Sequence, residues 1–162
     1  MLLIKNGKVM TMEDKNYNTG SILIDKRKIV KIGRSIDAGD AAEIIDAKGC
    51  WVLPGLIDAH CHIGIMDENA GFEGRDGNET TDPITPQMRA IDGINPMDQS
   101  FHDARKAGIT TVMTGPGSTN VIGGQFAIIK TCGSIIDEMV IKAPAAMKVS
   151  FGENPKKTYN GK

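Results

Sequence analysis

Aromatic residues are scarce in this sequence, at 4% of 162 residues. Stacking platforms for single-stranded nucleic acid need several such rings, so that class of partner is not expected. A surplus of either charge is also missing. The formal net charge is −1, which gives nucleic acid or an anionic membrane surface no electrostatic reason to bind. The cysteines, Cys50, Cys61 and Cys132, stand at scattered spacings with no CxxC, so no disulfide framework is indicated. No run approaches the roughly 20 apolar residues needed to span a bilayer. The opening MLLIKNGKVM lacks the apolar core and small-residue cleavage site of a secretory signal. A reducing, cytoplasmic setting is the expectation.

What is present is an ordinary globular composition, 40% hydrophobic and 24% charged, with 19 glycines interrupting short apolar runs. That pattern suits strands and tight loops better than a helical bundle. Residues 1–52 read as small antiparallel β structure without a helix of normal length. Leu2–Lys5 and Lys8–Met10 flank Asn6-Gly7, a dipeptide suited to a type I′ hairpin. Ser21–Ile24 and Ile29–Ile32 flank Asp25–Lys28 as a second hairpin, and Glu43–Asp46 reads as a further strand before Lys48-Gly49.

The character changes after Trp51. Leu56–His60 continues as an apolar strand beyond Pro54-Gly55, and an acidic stretch from Asp67 to Asp82 is too polar for burial. Helical spacing runs from Pro96 to Ala107 with Gly108 as the stop, and Ile109–Met113 is a β-branched strand. Gly115-Pro116-Gly117 ends that strand. Past a loop through Gly123-Gly124, Phe126–Ile129, Met139–Ile141 and Ala146–Phe151 read as short strands. Strand, loop, helix and strand in this order predict parallel βα units over residues 53–162. A closed (β/α)₈ barrel takes about 250 residues, so two or three units of an incomplete barrel are expected.

The chemistry concentrates at His60 and His62. Residues i and i+2 of a strand share a face, so the two imidazoles project together while Cys61 turns away as a small core side chain. At the C-terminal tip of a strand, such a pair can hold one edge of a zinc, iron or nickel ion. Chance placement on a half-exposed strand is the plain alternative for a bare H-x-H. Asp58 shares the strand face, either orienting a ligand or making a structural hydrogen bond. His102 lies within the predicted helix and reads as a solvated surface residue. The acidic stretch fails the EF-hand pattern, with Phe72 and Asn78 at the glycine and glutamate positions, and reads instead as a loop at a site's rim. Gly115-Pro116-Gly117-Ser118 could offer N–H groups to an anion, although a plain loop explains it. Gln125 could meet a substrate.

The stretch PGLIDAHCH, residues 54–62, closely resembles the signature of the amidohydrolase superfamily. GFEGRDGNETTDP, AIDGINPMD, GPGSTNVIGGQ and MKVSFGENP resemble its imidazolonepropionase-related branch. The resemblance implies the N-terminal part of a small β-sandwich over residues 1–52, followed by the start of a TIM barrel over 53–162. It also implies a divalent metal held by His60 and His62, with zinc first and iron, manganese or nickel as alternatives. The activity implied is hydrolysis of C–N bonds in cyclic amides or amidine-like small molecules, in a homo-oligomer. The family's remaining ligands (a bridging carboxylated lysine or glutamate, further histidines) and its aspartate base are expected beyond Lys162. No catalytic residue is therefore assigned within this chain, which is expected to be a truncated portion and inactive alone. Two other readings stay open: a non-catalytic fragment that associates through open β edges, and a simple metal-binding module.

Overall fold

The protein is described by a computed structural model covering residues 1–37, 39 and 43–161, so Lys162 lies outside the described residues. It forms two compact units, Met1–Pro54 and Gly55–Lys162. Among the described residues no helix is long and apolar enough to cross a membrane.

The first unit is one mixed sheet of β1 (Leu2–Val9), β2 (Tyr17–Asp25), β3 (Lys28–Gly33), β4 (Glu43–Asp46) and β5 (Trp51–Val52). The order is β3-β2-β1-β4, with β5 also on β1. β2 lies antiparallel to β1 and β3, whereas β4 and β5 run parallel to β1. Leu3, Val9, Ile22, Ile36 and Ala47 are buried here. The second predicted hairpin forms, with Lys26 at φ 54° in its turn.

The first does not. Asn6-Gly7 sits inside the continuous strand β1, at a bulge where the register slips between Ile4 and Gly7. Asn6 does take a positive φ, 63°, but it uses it to kink the strand, and its side chain donates to Asp46 Oδ1 at 2.9 Å. Gly7 is required for closeness rather than for turning: a Cβ there would stand 2.5 Å from Val52 Cγ2.

The second unit is built on the sheet β6-β7-β8-β9. β6 (Leu56–Cys61) is followed by a long hydrogen-bonded loop and the single-turn α1 (Ala90–Gly93), then by α2 (Gln99–Lys106) and β7 (Ile109–Thr114). After these come β8 (Ile122–Lys130), the single-turn α3 (Ile136–Met139), β9 (Val140–Val149) and α4 (Glu153–Thr158). Asp98 caps α2 by accepting from Ser100 N, and Phe101, 1% exposed, turns its one apolar stripe onto the sheet. Ile65, Ala90, Ile94, Val112, Ala127, Ile129 and Met139 complete that core.

β6 and β7 are parallel, joined by the predicted crossover, but β8 and β9 are antiparallel to their neighbours. The expected two or three parallel units therefore reduce to one, and a barrel portion is not evident. The physical reason lies in the connections. The link from Thr114 to Ile122 is far shorter than the dozen or more residues a parallel return needs. Gly123 and Gly124 are not loop residues but part of β8, and the segments around Met139–Phe151 merge into one strand that passes through Pro144. The result is a mixed α/β chain with two sheets and few helices.

Candidate metal centre

β6 ends at Cys61, so His60 stands on its last turn of pleat and His62 on the first residue beyond it. Both belong to the C-terminal edge of the parallel pair, which also carries Gly115 just past β7. The imidazole centroids are 5.1 Å apart with the planes at 83°. His62 Nδ1 lies 2.7 Å from the carbonyl oxygen of Gly115. A carbonyl only accepts, so Nδ1 carries a proton, and in the neutral ring Nε2 is the nitrogen with the lone pair. His60 rests its ring on buried Phe126 of β8, centroid to centroid 5.5 Å. Gly115 is held by the same ring, since a Cβ on it would lie 2.4 Å from Phe126 Cγ.

Around the pair, backbone groups are tied across strands. Gly115 N donates to Cys61 O at 3.3 Å, and buried Thr114 donates through Oγ1 to Ile63 O at 2.9 Å. Cys61 packs against the core, as its alternation with the histidines predicts, and burial pushes its thiol pKa up. Asp58 uses Oδ1 to accept from the His60 backbone N–H at 3.0 Å, the structural hydrogen bond of the two roles foreseen for it.

The other sequence candidates fall away from this edge or find different work. His102 is exposed on α2, 3.0 Å from Gln99 Nε2. An anion cradle at Gly115–Ser118 is overturned: Gly115 N–H goes to Cys61 O and Gly117 N–H to Gly77 O at 2.7 Å. That second bond joins the acidic loop after β6 to the loop after β7. Within the acidic loop, hydrogen bonds from the Asn69 backbone and the Asn95 side chain hold the Asp67 carboxyl below its usual range. Gln125 donates through Nε2 to Pro86 O at 3.1 Å. A cleft of about 260 Å³ runs between the loops, lined by Ile65, Asp76, Glu79, Arg89, Asp92 and Pro116 among others.

One side chain was missed. Lys148 lies near the C-terminal end of β9, and its Nζ is 6.0 Å from the Phe126 ring, the ring on which His60 rests. Nothing local in MKVSF marks it; only the antiparallel register of β8 and β9 carries it to this side.

Among the described residues no three or more His, Cys, Asp or Glu side chains gather as a metal cage. The donor set still fits a metal in part. Two imidazoles stand together, and one has Nδ1 engaged by a carbonyl, the usual outer partner of a ligating histidine.

No protein-family model matches the chain. It is similar to the amidohydrolase tasK of Hapsidospora irregularis, 31% identical over 158 residues, covering 88% of this chain and 16% of that protein. A dihydroorotase of Streptococcus thermophilus is 50% identical over 63 residues, 39% of this chain and 15% of the relative. The crystal structure of an amidohydrolase from Thermotoga maritima superposes with a TM-score of 0.92 at 42% identity, covering 99% of this chain and 41% of that one. The chain thus spans less than half the length of each of these relatives. Their likeness supports the amidohydrolase superfamily for this chain.

Proposed function

We propose that this chain is the metal-binding N-terminal part of an amidohydrolase that hydrolyses C–N bonds in cyclic amides or amidine-like small molecules. The observation that carries this reading is the imidazole pair on one strand edge, with His62 Nδ1 engaged by Gly115 O at 2.7 Å and Nε2 left free. The names of the relatives, amidohydrolase and dihydroorotase, support the reaction class.

His60 and His62 would hold the ion, with zinc the first choice and iron, manganese or nickel next. A divalent cation held there would supply Lewis acidity and lower the pKa of a bound water toward neutrality. The chain's own residues do the rest of the local work. Gly115 O engages His62 Nδ1, and Phe126 packs against the His60 ring. The Lys148 amine, reaching the same ring, is our candidate for the family's bridging lysine, a role first expected beyond Lys162. No residue of this chain is assigned as the base, so we propose that the chain alone is inactive.

On this reading Met1–Pro54 is sandwich sheet and β6–α2–β7 the opening of a barrel. The segments running from GFEGRDGNETTDP to MKVSFGENP favour the imidazolonepropionase-related branch. A homo-oligomer in the cytoplasm remains part of the proposal, the first because β6 and β9 end their sheet with Ile57 and Ile141 72% and 52% exposed.

The test is a Zn²⁺ titration of the purified chain against a chromophoric chelator, alongside a His60→Ala/His62→Ala variant. Binding that disappears in the variant supports the site. Equal binding by both proteins refutes the pair as ligands, whereas no binding by either fits a half-site that needs the family's further ligands.

A further inference from the structure

The turn that follows β6 is pinned almost atom by atom. His62 O accepts from Ile65 N and Met66 N at 3.2 and 3.1 Å, and Gly64 O accepts from Asn95 N at 2.7 Å. Ile65 O accepts from Asp76 N at 3.2 Å. The Gly64 N–H is different, because it donates to a side chain: Asp98 Oδ2 at 2.9 Å, in a buried setting. Asp98 is only 3% exposed. Its other oxygen, Oδ1, accepts from Ser100 N and Ser100 Oγ, each at 3.0 Å.

A helix cap needs one acceptor, which Ser, Thr or Asn would supply as well. Burying a carboxylate is costly unless its oxygens are all engaged. Asp98 engages both, in opposite directions: one toward α2, the other toward the turn that carries His62. Gly64 is itself fixed to this arrangement. It has φ 82°, and a Cβ would meet Ile94 Cγ2 at 2.8 Å and Phe101 Cε2 at 2.9 Å. No rearranged side chain at residue 64 could replace the tether.

We propose that Asp98 is a positioning residue for His62, its second oxygen locking the His62–Met66 turn to the start of α2 so that the imidazole meets Gly115 O and presents Nε2. The consequence for metal binding rests on the reading of His62 as a ligand; the consequence for the ring's orientation does not.

Asp98→Asn separates the two functions. An amide keeps one acceptor for the cap but sets a donor where the other acceptor stood, opposite the Gly64 N–H. Ser100→Ala, which removes only the Oγ–Oδ1 bond, is the matched control. Two readouts are taken on the full chain: the His62 Nδ1–H signal in ¹⁵N-histidine-labelled protein, and Zn²⁺ affinity by chelator competition. In Asp98→Asn the Nδ1–H signal should broaden or vanish, and affinity should fall about 10–100-fold, the usual effect of losing an outer partner of a ligand. Ser100→Ala should leave both unchanged.

An unaltered His62 signal in Asp98→Asn, or an equal change in both variants, overturns the proposal. If the parent chain binds no Zn²⁺ yet its His62 signal responds to Asp98→Asn alone, the positioning role stands without a complete metal site in this chain by itself. Should Asp98→Asn not fold, amide exchange of Gly64 in the unmodified chain decides. Slow exchange supports the tether, and exchange at the rate of an exposed amide overturns it.

Discussion

A single methyl group placed on Gly115 should disturb both histidines at once. Its Cβ would lie 2.4 Å from Cδ1 and Cγ of Phe126 and 2.6 Å from Cδ2. Carbon atoms rest about 3.5–4.0 Å apart, so the ring or the loop must retreat by roughly 1 Å. Phe126 is 3% exposed and has little room to do so. Overpacking of this kind costs about 1–3 kcal/mol. The displacement reaches His60 through the ring, 5.5 Å away, and His62 through the Gly115 carbonyl, 2.7 Å away. Urea unfolding of Gly115→Ala, Phe126→Ala and the double variant measures the contact directly. Phe126→Ala alone should cost about 3–5 kcal/mol by leaving a cavity. The double variant should be more stable than the sum of the singles by at least about 1 kcal/mol, because the cavity accepts the methyl. Additivity within roughly 0.5 kcal/mol would show that the methyl never meets the ring and would refute the reasoning.

The bulge in β1 makes a contrasting forecast for Gly7→Ala. With Val52 Cγ2 at 2.5 Å and Ala47 Cβ at 3.1 Å from the new carbon, the first unit should lose about 1–3 kcal/mol in urea unfolding, and Val52→Ala should restore part of it. A Gly7→Ala variant as stable as the parent would favour an exposed hairpin tip instead. Acid should act on the same region through Asp46. Hydrogen bonds from the Asn6 side chain, and then from the Lys48 backbone, hold its carboxyl below the ordinary 3.8. A depressed folded value means that its contribution is complete above about pH 4 and lost as pH falls through the lower, folded value. The gap in urea midpoint between the parent and Asp46→Asn should therefore be widest near neutrality and close once the pH falls below the carboxyl's lowered, folded value. A gap that is flat with pH would show that the carboxylate is not preferentially held in the folded state.

How much of this was legible in the sequence depended on how far apart the partners lie. β4 appears at its expected limits, Glu43–Asp46, and β6 and β7 extend the expected Leu56–His60 and Ile109–Met113 by a single residue each, because short apolar runs bounded by turn residues mark a strand locally. α2 was visible through its stripe and its Gly108 stop, which takes φ 83°. Asn6-Gly7 failed because a positive φ serves a two-residue turn and a bulge alike. Only the parallel pairing of β4 and β5 on the far side of β1 decides between them. Gly123-Gly124 failed for a related reason: the pair looks like a loop, yet Gly124, at φ 123°, lies 2.7 Å by its would-be Cβ from Met88 O and belongs to β8.

The site divides along the same line. His60 and His62 are neighbours in the chain, so strand alternation alone could bring them together. Their surroundings arrive from far along the chain: the Gly115 carbonyl, the Phe126 ring, the Lys148 amine and the Asp98 carboxylate. None of these forms a motif with H-x-H, and two of them act through a backbone atom or a plain ring. The proposed donors can thus be legible while the groups that aim them are not. On the proposal above, the leverage on His62 lies with Gly115, which contributes a carbonyl oxygen and a lack of bulk, and with Asp98, which acts through the Gly64 N–H. Their effects pass through a fixed turn and an engaged Nδ1, which is why substitutions there should alter the ring's presentation without removing either proposed ligand.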